Sequence, residues 1–296
     1  MKKFLIALSI LMLSVFLWQC AQEPSEKLSG EMSSEIALLP ADADVIGYMN
    51  VKSVKESPFF SFIEKNLDEN PFYSDEYEEF IEATGLDIRE DIDQIYFSFS
   101  HGDEENDPKM FTMIRGNYQP DRIMDYIMEE SNPDITEENF RDRTIYIMRK
   151  ERFALCFVDG ERLIAGPRSL LKDWLTTYDE NPQASLSDQR HEKIQQLKYK
   201  SQAWMVMDTR ILMDEMLDKW TNRGNSNFQG IKSLEHVNFS MKFDDNMKFF
   251  GIGQFDNKEN AELFKDAVKG AIATAKLSMS EDRKAIDVLN KIDVSL

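Results

Sequence analysis

A strand that runs directly into a helix occurs twice in this chain, and that recurrence constrains the fold more than composition does. Asp44 to Leu67 reads DVIGYMNV and then KSVKESPFFSFIEKNL, and Gln202 to Trp220 reads QAWMVMD and then TRILMDEMLDKW. A strand pair and another helix follow each time. Glu235-His236-Val237-Asn238-Phe239-Ser240-Met241 parallels Asp93-Gln94-Ile95-Tyr96-Phe97-Ser98-Phe99, and Gly253-Gln254-Phe255 parallels Gly116-Asn117-Tyr118 just before a helix. Elements repeated in one order predict an α+β fold of two related units, each an antiparallel sheet with packed helices. The expected bounds are 36–180 for the first unit and 187–296 for the second. The block from Phe153 to Tyr178 has no second copy.

Local patterns fill in this outline. Val45 to Val51 is apolar on both faces and reads as an interior strand. Ser57-Pro58 opens a helix, because Ser caps and Pro suits the first helical position. Phe59, Phe60, Ile63 and Leu67 form its apolar stripe. A helix over Ser74 to Thr84 ends at Gly85. In Asp93 to Ser100, Ile95, Phe97 and Phe99 are expected inward and Ser98 and Ser100 outward. Asp159-Gly160 is a hairpin turn. In the second unit, Leu212, Met213, Met216, Leu217 and Trp220 make a helical stripe, and the final KIDVSL reads as an edge strand.

The first 19 residues read as an export signal: Lys2 and Lys3, then an uncharged apolar run from Phe4 to Leu17. That run is shorter than the ~20 apolar residues that span a bilayer. Leu17-Trp18-Gln19-Cys20 resembles a bacterial lipoprotein signal, in which Leu three residues before Cys leads to cleavage and acylation of the thiol. Trp18 and Gln19 depart from the small residues usual between them. The resemblance implies lipidation, by palmitate or a similar chain, at Cys20, and a bacterial cell-envelope location. Ala21 after the Cys points, by the same resemblance, to the outer membrane. An uncleaved signal anchor and a plainly secreted protein are the alternatives. Residues 20–35 are polar and read as a lipid-anchored tether.

Leu39-Pro40-Ala41-Asp42-Ala43-Asp44, followed by VIGYMNVKSV and Ser57-Pro58, resembles a group of uncharacterised secreted or lipid-anchored bacterial proteins whose domain opens with a Leu-Pro-Ala-Asp phrase. The resemblance spans Leu38 to Phe60. It implies a location and a fold and brings no activity with it.

The formal charge of −19, or −21 once Lys2 and Lys3 leave with the leader, opposes nucleic acid and anionic lipid as partners. None of the three His, His101, His191 and His236, falls in an HExxH motif, and all three read as surface residues. No Gly-x-Ser-x-Gly elbow and no phosphate-binding GxxxxGK[ST] loop occurs. Gly251-Ile252-Gly253 lacks the third Gly of a dinucleotide fingerprint, with Asp256 in its place. The acidic runs DIREDID (Asp87 to Asp93) and HGDEEND (His101 to Asp107) lack EF-hand spacing and read as solvated turns. Met205, Met207, Met213 and Met216 read as core filling rather than as copper ligands. Cys156 in FALCFV reads as a buried thiol.

No catalytic residue, cofactor or metal site is therefore expected. The anticipated function is a non-enzymatic envelope module for interaction or assembly. The alternatives are a carrier of an apolar ligand, for which the 20 Phe and 16 Met suit a pliable pocket, and a hydrolase without a recognised motif. Expected partners are the membrane, through the N-terminal acyl chains, and an envelope protein or apolar ligand.

Overall fold

The structure, a computed structural model, describes residues 25–61, 75–101, 109–131, 135–148, 153–181, 184–209 and 233–278, with 286, 289–290 and 293–296. Cys20, Ile63, Leu67, the stripe from Leu212 to Trp220 and the acidic run after His101 lie outside the described residues.

The described strands form one sheet. In chain order they are β1 (Val45–Asn50), β2 (Ile92–Ser100), β3 (Lys109–Gly116), β4 (Ile135–Phe140), β5 (Arg143–Met148), β6 (Phe153–Phe157), β7 (Arg162–Gly166), β8 (Ala203–Asp208), β9 (Leu234–Phe243) and β10 (Met247–Phe255). Across the sheet they run β10-β9-β8-β1-β2-β3-β7-β6-β5-β4, and every neighbouring pair is antiparallel. The fold is α+β. The meanders β1-β2-β3 and β8-β9-β10 abut through their first strands, with Val45 opposite Met207 and Met49 opposite Ala203. The block without a second copy supplies β6, β7 and a helix, which extend the sheet on one side only.

One face of the sheet carries the main core. It presents Ile46 and Tyr48 from β1, Tyr96 from β2, Phe111 and Met113 from β3, and Trp204 and Val206 from β8, all buried. Three helices cover it: α1 (Gly30–Ala37) with Met32 and Ile36, α6 (Arg168–Glu180) with Leu171, Trp174 and Leu175, and α7 (Asp188–Gln195) with Ile194. Tyr48 lies between Tyr96 and Trp204, at ring-centroid distances of 4.9 and 5.9 Å.

This arrangement reverses the expected alternation in β2. Ser98 and Ser100 are buried on the packed face, at 1% and 4% exposure, whereas Ile95, Phe97 and Phe99 are half-buried on the other. The reason is volume. Ser98 stands opposite Phe111, so a small side chain leaves room for the buried ring. On the opposite face the Phe97 ring lies over Gly47, where a Cβ would come within 2.1 Å of its Cζ. Ser240, the counterpart of Ser98 in the second meander, is also fully buried.

Within the tether expected over residues 20–35, the described part, from Ser25, is packed against the fold. Ser29 caps α1 by accepting from the Met32 N–H at 3.1 Å. On the next turn Glu35 is 5% exposed and accepts from Arg162 at 2.9 Å, while Glu31 pairs with Arg115. The polar composition that reads as a linker therefore conceals an amphipathic helix stapled to β3 and β7 by ion pairs.

Helices also pack on the second face. Among the described residues they are α2 (Val51–Lys55), α3 (Asp75–Thr84), which packs on α5 through Phe80 and Tyr126, the short α4 (Ile88–Asp91), α5 (Pro120–Ser131) and α8 (Lys258–Ser278). Ser57 caps the turn after α2 as anticipated, accepting from the Phe60 N–H at 3.2 Å. Gly85 ends α3 with φ of 69°, a left-handed conformation that suits glycine. Asp293 to Leu296 form no strand. Val294 is buried beside Phe264, Val268 and Ile272 of α8, so the end of the expected edge strand serves as helix packing instead.

Candidate interaction surface

The second face is built from Phe and Met. Pairing places Val237, Met207, Val45, Phe99 and Met110 side by side across β9, β8, β1, β2 and β3. The next row is Phe239, Met205, Gly47, Phe97 and Thr112. Met205, Met207, Phe239, Phe97 and Phe99 are half-buried, and Val45 and Val237 are buried. Ile123 and Ile127 of α5 pack on Ile95, Ile114 and Leu163 to one side. On the other side Phe264 of α8 lies 5.2 Å from Phe255.

At one corner this face opens to solvent. Met110 is 56% exposed and Phe153 is 37% exposed. They sit on β3 and β6, the two neighbours of β7, near the end where Gly166 leads into Pro167. Gly166 has φ of 151°, and a Cβ there would lie 2.6 Å from Met110 O, so glycine lets β7 pass this close. Phe99 opposite Met110, and Met148 opposite Phe153, continue the corner as half-buried residues. No local pattern marks this corner, because Met110 and Phe153 each open a stretch that reads as a core strand.

A polar cleft lies under α7 on the packed face. Lys193 pairs with Asp208 at 3.6 Å. Arg190 donates to the carbonyls of Leu39, at 2.9 Å, and Pro40 in the loop after α1, and at 3.5 Å to the carbonyl of Ile36 in its last turn. Burial lowers its pKa, opposed by the charge of Asp42. Asn238, fully buried, donates to Lys193 O at 3.1 Å and Gln196 Oε1 at 3.0 Å. Two cavities of about 200 and 190 Å³ share Gln189, Lys193 and Asp208. His236 lines the first. It stands opposite Asp208 on the face that α7 covers, so the expected surface position is corrected to a half-buried one. The cleft thus holds charges of both signs, several engaged in docking α7. Among the described residues no group of three or more His, Cys, Asp or Glu is placed to hold a metal ion.

The remaining candidates are dispersed. Asp87 caps α4 and binds Arg89 at 2.8 Å, and chiefly through Arg89 its pKa falls to about 2. His101 donates its backbone N–H to Asp44 at 2.7 Å. His191 is exposed and pairs with Gln195 one helical turn on, at 3.0 Å. Gly251 and Gly253 lie within the β9–β10 hairpin. Cys156 is fully buried, and burial pushes its thiol up to about 11. No helix among the described residues is long and apolar enough to cross a membrane.

No protein-family model matches the chain, and no curated protein matches it. Three solved structures of TP0453 are similar to it. Crystal form I is 13% identical, with a TM-score of 0.46 over 86% of this chain and 88% of that one. Crystal form III is 12% identical, with a TM-score of 0.46 over 84% and 88%. Crystal form IV is 11% identical, with a TM-score of 0.43 over 72% and 77%. Likeness at this level brings no function with it.

Proposed function

We propose that this chain is a lipid-anchored protein of the bacterial cell envelope, held through acyl chains on Cys20, and that it acts as a non-enzymatic interaction or assembly module. The observation that carries the reading is the apolar corner at Met110 and Phe153, exposed while Phe99 and Met148 beside them are half-buried. Fully burying one such side chain stabilises a contact by about 1.5–3 kcal/mol. Because the corner stands on paired strands, little ordering is left for a partner to offset. Exposed apolar residues grouped on one face, with a polar surround, are a usual mark of an interaction site.

The alternative is a carrier of an apolar ligand. It is favoured by the half-buried Phe and Met that cross the same face. It is weakened by the cavities under α7, which polar and charged side chains line.

The test is a photo-cross-linking amino acid placed at Met110, at Phe153 and, as a control, at the exposed Lys269 of α8. In the acylated protein in its own membrane, positions 110 and 153 should give one protein adduct of the same mass, and position 269 none. No adduct at either corner position, together with a small apolar mass lost from the purified protein on denaturation, would replace the module with the carrier.

A further inference from the structure

The chain enters the fold through Ser25 and Glu26, which are tied to the loop before β8. Ser25 Oγ donates to Leu197 O at 2.7 Å, and the Glu26 N–H donates to Lys198 O at 2.9 Å. The Glu26 carboxylate accepts from the N–H groups of Lys200 and Ser201, at 2.8 and 2.9 Å, and from the Lys242 ammonium at 3.1 Å. Lys200 is 3% exposed and returns its ammonium to Ser25 Oγ at 2.6 Å, to Gln195 O at 3.3 Å and to Leu197 O. Burial disfavours the charge on Glu26, but the hydrogen bonds from Ser201, Lys200 and Lys242 outweigh it and lower its pKa.

The clamp lies at one end of the strands. On the β8–β10 side of that end, Lys27, Lys198, Lys242, Lys248 and the buried Lys200 stand against Glu26, Asp244 and Asp245, a local excess of two positive charges in a chain of −19, whereas on the β2 side α4 and the start of β2 bring Asp87, Glu90, Asp91 and Asp93 against Arg89. Helix α2, at the same end, adds Lys52 and Lys55 against Glu56. The Met110 corner is at the opposite end, because Met110 pairs through Phe99, Val45 and Met207 to the level of Val237. From Lys242 to Val237 the strand rises about 17 Å, and β3 stands four strand spacings, about 19 Å, from β9. The two displacements combine to about 26 Å. The five residues from Cys20 to Ser25 reach at most about 18 Å when fully extended.

Resting on the reading of Cys20 as acylated, we infer that the clamped, lysine-bearing β8–β10 side of this end faces the membrane and meets anionic phospholipid headgroups, and that the Met110 and Phe153 corner is held out on the far side. The strong net negative charge opposes contact between anionic lipid and the rest of the surface, so the same electrostatics that repel the domain overall set which end approaches. The clamp converts a short anchor into a fixed point of attachment. The corner is thereby offered to a partner in the aqueous space and not to the bilayer that holds the anchor.

The experiment uses full-length acylated protein in phosphatidylcholine vesicles, with and without phosphatidylglycerol. A single probe is attached at Lys27→Cys or at Met110→Cys, each in a Cys156→Ser background, and headgroup-labelled lipid serves as quencher. Circular dichroism checks that each variant is folded. Quenching at position 27 should exceed that at 110 several-fold. The difference should grow with phosphatidylglycerol and shrink with added salt and in Lys198→Gln/Lys248→Gln. Equal or reversed quenching in protein whose N-terminal peptide carries the acyl mass would overturn the orientation. A difference indifferent to lipid charge, salt and the lysine substitutions would overturn the headgroup contact. A peptide without acyl mass would instead remove the anchor reading and this inference with it, and the mass spectrum tells that failure apart.

Discussion

Trp204→Ala asks whether the two meanders are one cooperative body. Trp204 is 2% exposed, pairs with Tyr48 across the β1–β8 seam and lies 5.9 Å from its ring. Removing a buried Trp side chain costs about 3–5 kcal/mol through lost burial and the cavity left behind. One contribution runs the other way. The indole Nε1 is buried without an acceptor, and its removal relieves about 1–3 kcal/mol of desolvation. Taking the middle of each range, the net loss is about 2 kcal/mol, which corresponds to about a thirtyfold change in an opening equilibrium. Native-state hydrogen exchange reads this strand by strand. Because the sheet is continuous through the seam, slowly exchanging amides of β2 and β3 should lose as much protection as those of β8 and β9. Loss confined to β8, β9 and β10 would refute the single body and make the seam a docking surface between independently stable units. A total loss below about 1 kcal/mol would refute the packing argument itself.

Two further outcomes follow from ionisable groups. Arg89 holds the Asp87 carboxyl at about 2, and Arg168 and then Lys172 do the same for Glu138. Both lie below the ordinary carboxylate values of 3.8 and 4.5, so the stabilisation is fully present above those values and is lost as pH falls towards 2. Both pairs border solvent, so Asp87→Asn should remove less than about 1 kcal/mol of that acid dependence in urea titrations between pH 6 and 2. An unchanged pH profile would count against the Asp87–Arg89 contact. The Cys156 thiol, fully buried and raised to about 11, should resist maleimide in the native protein and react on unfolding. Rapid labelling of the native protein would show that β6 opens.

What could be read from the sequence is what local chemistry dictates. The hairpin at Asp159-Gly160 is present, with Asp159 Oδ1 accepting the Glu161 N–H at 2.8 Å, and the Ser57 cap and the stop at Gly85 rest on equally local preferences. The failures come from long-range packing. In β2 the Phe residues outweigh the Ser residues in any hydropathy count, yet Phe111 from the neighbouring strand decides which side closes. Helix α1 was hidden because Glu31 and Glu35 find Arg115 and Arg162 from distant strands. One clue was available: Met32, Ile36 and Leu39 follow helical spacing from the supposed linker into the first unit. The seam between the meanders had no such clue, since an interior strand reads the same whichever strand lies beside it.

The seam also orders events in time. Val45 waits for Met207, so when synthesis has completed β1, β2 and β3 one long side of β1 still has no partner. That side belongs to VIGYMN, a short, uncharged stretch rich in apolar residues, the kind of strand that pairs readily with a neighbouring copy of itself. Until residue 208 emerges, the first half of the molecule is a template without its complement. Completion of the sheet then depends on a loop closure spanning more than half the chain, a slow step by the usual relation between contact distance and folding rate. A cell making this protein therefore has reason to keep the first half unfolded, or shielded, until the second arrives.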